Sequence, residues 1–561
     1  MKLSYLIAAI LPLASIAYAL DGQFGIHDPS TVTVCDGKYY TYGTGGNPLV
    51  SDDGWTWRRG VTPARTGAAP DVIHIGDRFF MYISGVTMIS SKTLDPDSPD
   101  YKWEDGGSIA GYESPDDFIN PIDPGAFLDP TSGRLWLTYG SYVGYIRLVE
   151  LDPKTGKRLH PGEPPTNIGI NLEATDMIYR DGWYYLLGTH GSCCAGAASG
   201  YNIRVGRSRK VTGPFVDNMG VDMIEGGGKL LIGSGDRLVG AGHFGLLDLG
   251  DNGAQKFSMH WEADLDRGGA SVLDIRPLLW KDGWPVAGEN MKEGTYEIES
   301  VRTGTALELA VEGVPVGGSR ARGGFGGPGG RGGRGGAGGT NAVAGRGGFG
   351  GTNAFGGRGG FGGTNGFAGR GGFGEIGGTN AVAGRGGFGE TGGTNAVAGR
   401  GARGGAGGFG AGGGGRGLFG GTGAPVPPQD VAQVSTNWPA GSIDVRMANY
   451  MVQAQQKWTV TAVTNAGGYP GSPYFKISIA GTDRALAATA DGELAALSAF
   501  TGGPDQLWRL DQLTDGTWRI MPKSAPNSKE PVAISAVGSS SATLAKFNPD
   551  SDRQRWLFKK P

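Results

Sequence analysis

One short pattern, an aromatic strand that follows a tight turn, recurs five times in the first 290 residues. The copies read DGKYYTYGTG, GDRFFMYISG, SGRLWLTYGS, RDGWYYLLGTHG and AQKFSMHWEA, beginning at Asp36, Gly76, Ser132, Arg180 and Ala254. The leading residues of their central pairs are spaced by 40, 56, 49 and 72 residues. Repeats of this length, built from short strands and Gly/Asp turns, are typical of a β-propeller. The sequence therefore predicts an all-β fold, with a five-bladed propeller over residues 20–290.

An ionisable side chain precedes the central pair of each copy by about 8 to 13 residues, in an apolar or proline-containing context. These side chains are Asp28, Asp71, Asp123, Glu173 and His243. Because the innermost strand of each blade faces the axis, five blades would direct four carboxylates and one imidazole into one funnel. Taken singly, an Asp before Pro is also a common turn residue, and Glu173 could be a solvated residue at a strand end.

Paired carboxylates at the mouth of such a funnel fit glycoside cleavage, which needs one protonated acid and one carboxylate opposite it. Three segments resemble glycoside hydrolase family 43: GIHDPS from Gly25, NPIDPG from Asn120 and NLEA from Asn171. The resemblance extends to SCC, VGRS and IRPL, which begin at Ser192, Val205 and Ile275. It covers residues 24–288, and the longer strings are most similar to the endo-α-1,5-L-arabinanase branch.

The resemblance implies a role for each of three carboxylates. Asp28 would be the general base that activates a water, and Glu173 would be the general acid that protonates the leaving oxygen. Asp123 would orient the acid and keep its pKa high by like-charge proximity. Members of the family invert the anomeric configuration, which would place base and acid roughly 6.5–9.5 Å apart.

Further predictions concern substrate and metal. Asp71, Arg276 and Tyr142 are predicted to contact substrate, with a structural salt bridge as the alternative for Arg276 and a core position as the alternative for Tyr142. His243 resembles a family histidine that helps to hold a central ion, often Ca²⁺. Since Ca²⁺ prefers oxygen ligands, His243 would contact it through a coordinated water. The alternative is a core histidine without an ion.

One departure from the arabinanase pattern concerns the substrate. Arabinanases usually read Trp-Ala-Pro-Asp in the second blade, whereas this chain has Ala68 in place of the tryptophan. Loss of a stacking platform could cost about 1 kcal/mol of sugar affinity. The sequence therefore favours a hydrolase of α-1,5-linked arabinan and leaves endo and exo action open. The alternatives are an exo-acting α-L-arabinofuranosidase or β-xylosidase, and a noncatalytic carbohydrate-binding protein.

The C-terminal part carries a second repeat. Three Gln-x-Trp units end at Trp458, Trp508 and Trp556, spaced by 50 and 48 residues. They resemble the ricin-type β-trefoil, which predicts a trefoil over residues 291–561. Its sugar-binding acid is kept only in the first repeat, as Glu308, so the alternatives are a polysaccharide-targeting module and a degenerate packing or cell-surface module.

Residues 317–424 are a Gly-rich tract with near-copies of GGTNAVAGRGGFG. A tract with so little side chain to bury is predicted to be disordered. It would be an insertion within the first trefoil repeat, which is tolerable because closure entropy grows slowly with loop length. Its Arg-Gly-Gly and Phe-Gly elements resemble RNA-binding tails, but export disfavours that role and favours a spacer or adhesive loop.

Export is predicted from residues 1–19, where Lys2, an apolar run and Ala-Tyr-Ala form a secretory signal peptide. The protein would be extracellular or periplasmic and monomeric. A net charge of −3 gives no reason to expect a nucleic acid or membrane partner. The three cysteines, Cys35, Cys193 and Cys194, leave open a vicinal bridge, a bridge to Cys35, and buried thiols.

Overall fold

The computed structural model describes residues 20–109, 121–247, 249, 253–311 and 438–561. Within these ranges the secondary structure consists of β-strands and short 3₁₀ turns, without an α-helix. The same ranges hold no helix of the length and hydropathy needed to cross a bilayer. The predicted signal peptide lies outside the described residues, as does the predicted Gly-rich tract. The all-β prediction is confirmed.

Residues 21–287 form five separate sheets, so the prediction of five blades is confirmed. Blade 1 contains β1 (Asp21–Gly22), β2 (Thr33–Cys35), β3 (Lys38–Gly43), β4 (Asn47–Ser51) and β5 (Thr56–Arg59). Blade 2 contains β6 (Asp71–Ile75), β7 (Arg78–Ile83), β8 (Thr87–Ser91) and β9 (Glu104–Ser108). Blade 3 contains β10 (Gly125–Leu128), β11 (Leu135–Tyr139), β12 (Tyr145–Leu151) and β13 (Thr166–Ile170).

Blade 4 contains β14 (Glu173–Arg180), β15 (Trp183–His190), β16 (Asn202–Ser208) and β17 (Lys229–Ile232). Blade 5 contains β18 (Leu238–Leu247), β19 (Lys256–Asp264), β20 (Ala270–Lys281) and β21 (Trp284–Ala287). The five aromatic repeats of the sequence are β3, β7, β11, β15 and β19, the strands that follow the innermost strand of each blade. Their aromatic side chains are buried between blades, as for Tyr42, Tyr82 and Tyr185.

The ring is closed by the segment between β1 and β2 of blade 1. Gly25 forms a bridge with Val272 of β20, and Leu273 N–H donates to Phe24 O at 2.9 Å. The innermost strands pack closely around the axis, since a Cβ at Gly125 would lie 1.9 Å from the Thr175 carbonyl oxygen. Main-chain hydrogen bonding between the first and last blades thus joins the two ends of the propeller, and each blade keeps only a short outer edge.

The C-terminal part, from Gly294 onward, forms one large sheet and a small hairpin. Its strands are β22 (Gly294–Ser300), β23 (Ala306–Leu309), β24 (Ile443–Ala448), β25 (Trp458–Ala462), β26 (Gly468–Tyr469), β27 (Ser472–Pro473), β28 (Phe475–Ile479), β29 (Ala485–Ala488), β30 (Leu494–Leu497), β31 (Trp508–Gln512), β32 (Trp518–Pro522), β33 (Val532–Val537), β34 (Ser541–Lys546) and β35 (Trp556–Lys559). Six of them pair in a closed ring, in the order β22, β25, β28, β31, β32, β35 and back to β22.

Three hairpins, β23–β24, β29–β30 and β33–β34, accompany this ring. The Gln-x-Trp tryptophans are fully buried, and their Nε1–H groups donate to equivalent carbonyls, those of Leu307, Leu486 and Ile534. Because β23 and β24 pair with each other, the predicted 317–424 insertion lies between two paired strands of the first repeat.

The propeller and the C-terminal strands belong to one compact unit, and the predicted boundary at residue 290 falls between β21 and β22. A buried cation lies at their junction. The Lys256 ammonium donates to Pro470 O at 2.5 Å and lies 3.8 Å from the Asp511 carboxylate. Burial lowers the pKa of Lys256 to about 8, although Asp511 opposes the shift. Asp511 also accepts from Arg509 and Arg519, so this carboxylate stays compensated.

Candidate active site

Five non-glycine residues with positive φ mark the axial end of the five blades. They are Asp28, Ala69, Asp123, Ala174 and His243, with φ values of 50°, 45°, 55°, 49° and 57°. A left-handed conformation is unfavourable for such residues and persists where the surrounding structure enforces it. The five predicted ionisable residues therefore do not occupy equivalent positions in their blades. Asp28, Asp123 and His243 have the positive φ themselves, whereas Glu173 lies one residue before this position and Asp71 lies two residues after it.

Asp28 is nine-tenths buried and is held from several sides. Its Oδ2 lies 2.8 Å from His27 Nδ1 and accepts from Thr44 Oγ1 at 2.5 Å, while its Oδ1 lies 3.2 Å from His243 Nδ1. Burial alone would raise the pKa of Asp28, but the imidazoles of His243 and His27 hold it well below its usual range. Asp28 is therefore an ionised carboxylate at neutral pH, as a general base requires.

Glu173 begins β14 and is also buried. Tyr201 Oη donates a hydrogen bond to its Oε1, and Ser141 Oγ donates to its Oε2 at 3.1 Å. Burial raises the pKa of Glu173, and these two hydrogen bonds reduce the rise without cancelling it. A carboxyl group with a raised pKa holds its proton over a wider pH range, which suits a general acid.

Asp123 is the most strongly perturbed of the three carboxyls. It is 5% exposed, and burial raises its pKa to about 8, with His243 opposing the rise and Glu173 and Asp28 adding to it. The Ala174 N–H also donates to it. The electrostatic influence of Glu173 and Asp28 on Asp123 shows that the structure brings the three predicted catalytic carboxyls together. They do not all ionise together at neutral pH, because like charges in one buried site repel.

Asp71 lies in a second layer along the axis. Its Oδ1 accepts from Thr31 N–H at 3.1 Å and its Oδ2 from Ala126 N–H at 2.9 Å, so both oxygens tie blade 2 to its neighbours. Asp176, which the sequence analysis missed, occupies the same position in blade 4. Burial and the charge of Asp71 hold the pKa of Asp176 well above its usual range. Both backbone hydrogen bonds of Asp71 are thus structural and do not involve the three predicted catalytic carboxyls.

The other two predicted substrate contacts lie in different places. Tyr142 is 39% exposed, and burial together with the nearby charges of Glu173 and Asp123 raises its pKa, which places it at the mouth of the funnel. Arg276 lies on β20, where its Nε donates to Asp274 at 2.8 Å. It lines a cavity of about 400 Å³ beside the β26–β27 hairpin. The structure does not bring Arg276 together with the catalytic carboxyls and favours the salt-bridge alternative.

His243 is buried and lies beside Asp28, as described above. A small cavity of about 10 Å³ borders it, lined also by Asp71 and Asp176, and has room for about one water. Each Asp71 oxygen already accepts one backbone N–H group, and the cavity has no room for the six to eight oxygen ligands that Ca²⁺ takes. Calcium held through water thus stays a prediction.

Several functional candidates were missed in the sequence. Glu262 and His260 lie two residues apart on β19, and His260 contacts the Asp28 main chain, while Tyr201, just before β16, donates to Glu173. The i, i+2 spacing of His260 and Glu262 on one strand was an available signal, because alternate residues share a face. Cys193 and Cys194 form a vicinal disulfide, and Cys35 is a buried free thiol. This pairing resolves the alternatives that the sequence left open.

The sequence matches the family of glycosyl hydrolases family 43 over residues 27–285. An extracellular exo-α-(1→5)-L-arabinofuranosidase of Cellvibrio japonicus is 31% identical to this chain over 329 residues, which span 51% of this chain and 92% of that protein. This chain belongs to glycosyl hydrolases family 43. An extracellular endo-α-(1→5)-L-arabinanase of Bacillus subtilis is 29% identical over 293 residues, spanning 46% of this chain and 87% of the relative.

Among solved structures, an exo-1,5-α-L-arabinanase from a bovine ruminal metagenomic library has 33% sequence identity, covers 49% of this chain and 100% of its own, and has a TM-score of 0.44. Membership of family 43 confirms the resemblance read from the sequence motifs. It also confirms that the chain is a glycoside hydrolase rather than a noncatalytic binding protein.

Proposed function

We propose that this protein hydrolyses α-1,5-linked arabinan with inversion of configuration. The observation that carries the proposal is the pairing, in one funnel, of an ionised Asp28 with a Glu173 whose pKa is raised. An inverting glycosidase needs these two protonation states at the same time. The names of the Cellvibrio japonicus and Bacillus subtilis relatives support arabinan as the substrate class.

Asp28 acts as the general base in this proposal. His27 and His243 contact its two oxygens, and Thr44 donates to one of them, so the carboxylate is fixed before substrate arrives. It would accept a proton from the water that attacks the anomeric carbon. Such preorganisation removes the need to reorient the base at the moment of reaction.

Glu173 acts as the general acid. Its proton would pass to the glycosidic oxygen as the bond to the departing sugar breaks. Ser141 and Tyr201 each hold one of its oxygens, so the carboxyl group cannot rotate freely. The Ser141 hydroxyl can also accept a hydrogen bond from protonated Glu173 before substrate binds, since a hydroxyl is both donor and acceptor. Asp123 orients the acid from the neighbouring blade and is itself largely protonated at neutral pH.

We propose endo action, following the arabinanase motifs, with exo action as the alternative. Ala68 immediately precedes the positive-φ residue of blade 2, the position that Glu173 occupies in blade 4. With Ala68 in place of a tryptophan, this position offers no aromatic ring for a sugar to stack on, so sugar binding there should be weaker. The name of the Cellvibrio japonicus relative also supports the exo alternative. Of the other candidate surfaces, Trp183 is covered by two arginine side chains, whereas Tyr142 remains exposed.

We also propose that the protein is exported as a monomer and that its C-terminal part is a β-trefoil. The extracellular relatives support export, and the closed six-strand ring with three hairpins supports the trefoil. Glu308 accepts from Arg446 and Gln456, so the only acid kept from the sugar-binding pattern already has two partners. This favours a packing or cell-surface role for the trefoil over polysaccharide binding.

Product analysis of debranched arabinan tests the proposal. The wild-type protein should release arabino-oligosaccharides of mixed length early in the reaction, and Glu173→Gln should release almost none. Arabinose as the sole early product would move the assignment to exo action. Absence of any product from both debranched arabinan and arabinoxylan would refute the proposed substrate class.

A further inference from the structure

Near Asp28 lies a further carboxylate, Glu262, that is 4% exposed. Its Oε1 lies 3.1 Å from His27 Nε2 and 3.6 Å from His260 Nε2. The same oxygen accepts from the Cys194 N–H at 3.1 Å. One buried oxygen thus joins two imidazoles and the backbone of the vicinal-disulfide loop.

Both imidazoles that touch Glu262 also touch Asp28. His27 Nδ1 lies 2.8 Å from Asp28 Oδ2, and His260 Nδ1 accepts from the Asp28 N–H at 2.8 Å. The two rings stack, with centroids 4.6 Å apart. His27 therefore bridges two carboxylates through its two nitrogens, and His260 bridges the Asp28 main chain and Glu262.

This geometry fixes the hydrogen positions of both rings. Each nitrogen of His27 faces a carboxylate oxygen, so both nitrogens must be donors and the ring must be an imidazolium. His260 accepts at Nδ1, and its burial favours the neutral form, so its proton lies on Nε2, toward Glu262. Among the described residues, Glu262 is the only carboxylate within 4 Å of the outer nitrogen of either ring, at hydrogen-bond distance from His27 and in a longer electrostatic contact with His260.

We propose that Glu262 is a positioning residue for the catalytic base: it fixes His27 and His260, which together set the place and orientation of the Asp28 carboxylate. The inference rests on the proposed function, in which Asp28 activates the attacking water. Without the Glu262 charge, His27 loses the partner of its outer nitrogen and can turn away from Asp28. The carboxylate would then sample orientations that do not reach the water.

The proposal predicts which half of the reaction suffers. A defect of the base persists whatever the leaving group is, whereas a defect of the acid is relieved by a leaving group that departs without protonation. The test therefore compares kcat on arabinotetraose with kcat on a 4-nitrophenyl arabinotrioside. Glu173→Gln calibrates the acid side, because its loss on arabinotetraose should be mostly recovered on the nitrophenyl substrate.

For Glu262→Gln the expected result is a kcat about 10- to 100-fold below wild type on both substrates, with KM within about twofold, as for a misplaced catalytic group. Ser258→Ala is the matched control. Ser258 is buried on the same strand and donates only to Gly245 O, outside the Glu262 network, so its kcat should remain near wild type. A wild-type kcat for Glu262→Gln, or a loss that the nitrophenyl group relieves, would overturn the proposal.

His27→Gln serves if Glu262→Gln does not fold, since the His27 side chain is 27% exposed and a substitution there disturbs less core. It should show the same loss on both substrates. In the double variant the two losses should be far from additive, because both act through one network. Additive losses would overturn the proposal. Wild type and Asp28→Asn separate this inference from the proposed function: an inactive wild type refutes both, whereas an active wild type with an inactive Asp28→Asn leaves Glu262 to be judged alone.

Discussion

Replacing Asp123 by Asn should stabilise the protein relative to wild type as the pH rises toward 8. The Asp123 carboxyl is 5% exposed, and burial raises its pKa to about 8 from an unfolded value of 3.8. Below pH 3.8 both states bind the proton, and the shift has no effect on stability. Between pH 3.8 and about 8 the unfolded chain releases the proton and the folded chain keeps it, so the free energy of unfolding falls as pH rises.

The size of the effect follows from the pKa difference. Each pH unit in that window lowers the free energy of unfolding by about 1.36 kcal/mol, so the whole window costs roughly 6 kcal/mol. Asn resembles the protonated acid in shape and charge, so Glu173 and Asp28 experience nearly the same neighbour in the variant. The stability of Asp123→Asn relative to wild type should therefore increase by about 4 kcal/mol between roughly pH 5 and pH 8.

Urea titrations of both proteins at several pH values, followed by tryptophan fluorescence, measure this slope. The slope is informative even if the amide changes local hydrogen bonds, because such a change is the same at every pH. Asp52→Asn is the control, since Asp52 forms an exposed pair with Arg58 and should leave the slope unaltered. If the stability difference between Asp123→Asn and wild type does not change with pH, the claim that Asp123 keeps its proton in the folded protein is refuted.

Two further changes test other parts of the account. Asp511→Asn would leave the buried Arg519 and Lys256 without their common anion and should lower the free energy of unfolding by about 3–5 kcal/mol in urea titrations. Glu530→Gln breaks an exposed pair and should lower the free energy of unfolding by less than about 1 kcal/mol. Equal losses for Asp511→Asn and Glu530→Gln would contradict the role of Asp511 as the shared anion of Arg519 and Lys256. Tyr201→Phe removes a hydrogen bond that stabilises ionised Glu173, so the pKa of Glu173 should rise and the alkaline limb of the pH–kcat profile should move to higher pH. Tyr184→Phe, whose hydroxyl donates to Asp129, should leave that limb in place, and an unmoved limb in Tyr201→Phe would contradict the role of Glu173 as the acid.

The sequence was sufficient to predict the blades and to find the three carboxyls that the structure brings together, because both depend on local patterns. The turn and aromatic strand of each blade lie within about ten residues, and Asp28 and Asp123 each precede a proline at the start of an inner strand. The register around the axis was harder to predict. The distance from the axial residue to the aromatic strand varies between blades, and in two blades the positive-φ residue is an alanine. The backbone N–H groups that donate to both oxygens of Asp71 were therefore not predicted, and substrate contact by Asp71 stays a prediction.

The contacts of Glu262 and His260 with His27 and Asp28 could not be predicted from sequence, since they join residues far apart in the chain. Asp28 and Glu262 are brought together only when β20 of blade 5 pairs with the segment between β1 and β2 of blade 1. The same holds for Arg276, whose partner Asp274 is near in sequence but whose cavity is completed by the β26–β27 hairpin. Pairing between distant segments of the chain, rather than local strand propensity, determines which of these side chains become neighbours.

The central claim, that Asp28 and Glu173 hydrolyse α-1,5-arabinan by a single displacement, is tested most directly by the anomeric configuration of the first product. Proton NMR during the first minutes of arabinan digestion reports this configuration before mutarotation. With wild type, reducing ends of β configuration, inverted from the α linkage, should appear first. With Asp28→Asn they should be absent. Reducing ends that appear first in the α configuration would contradict it.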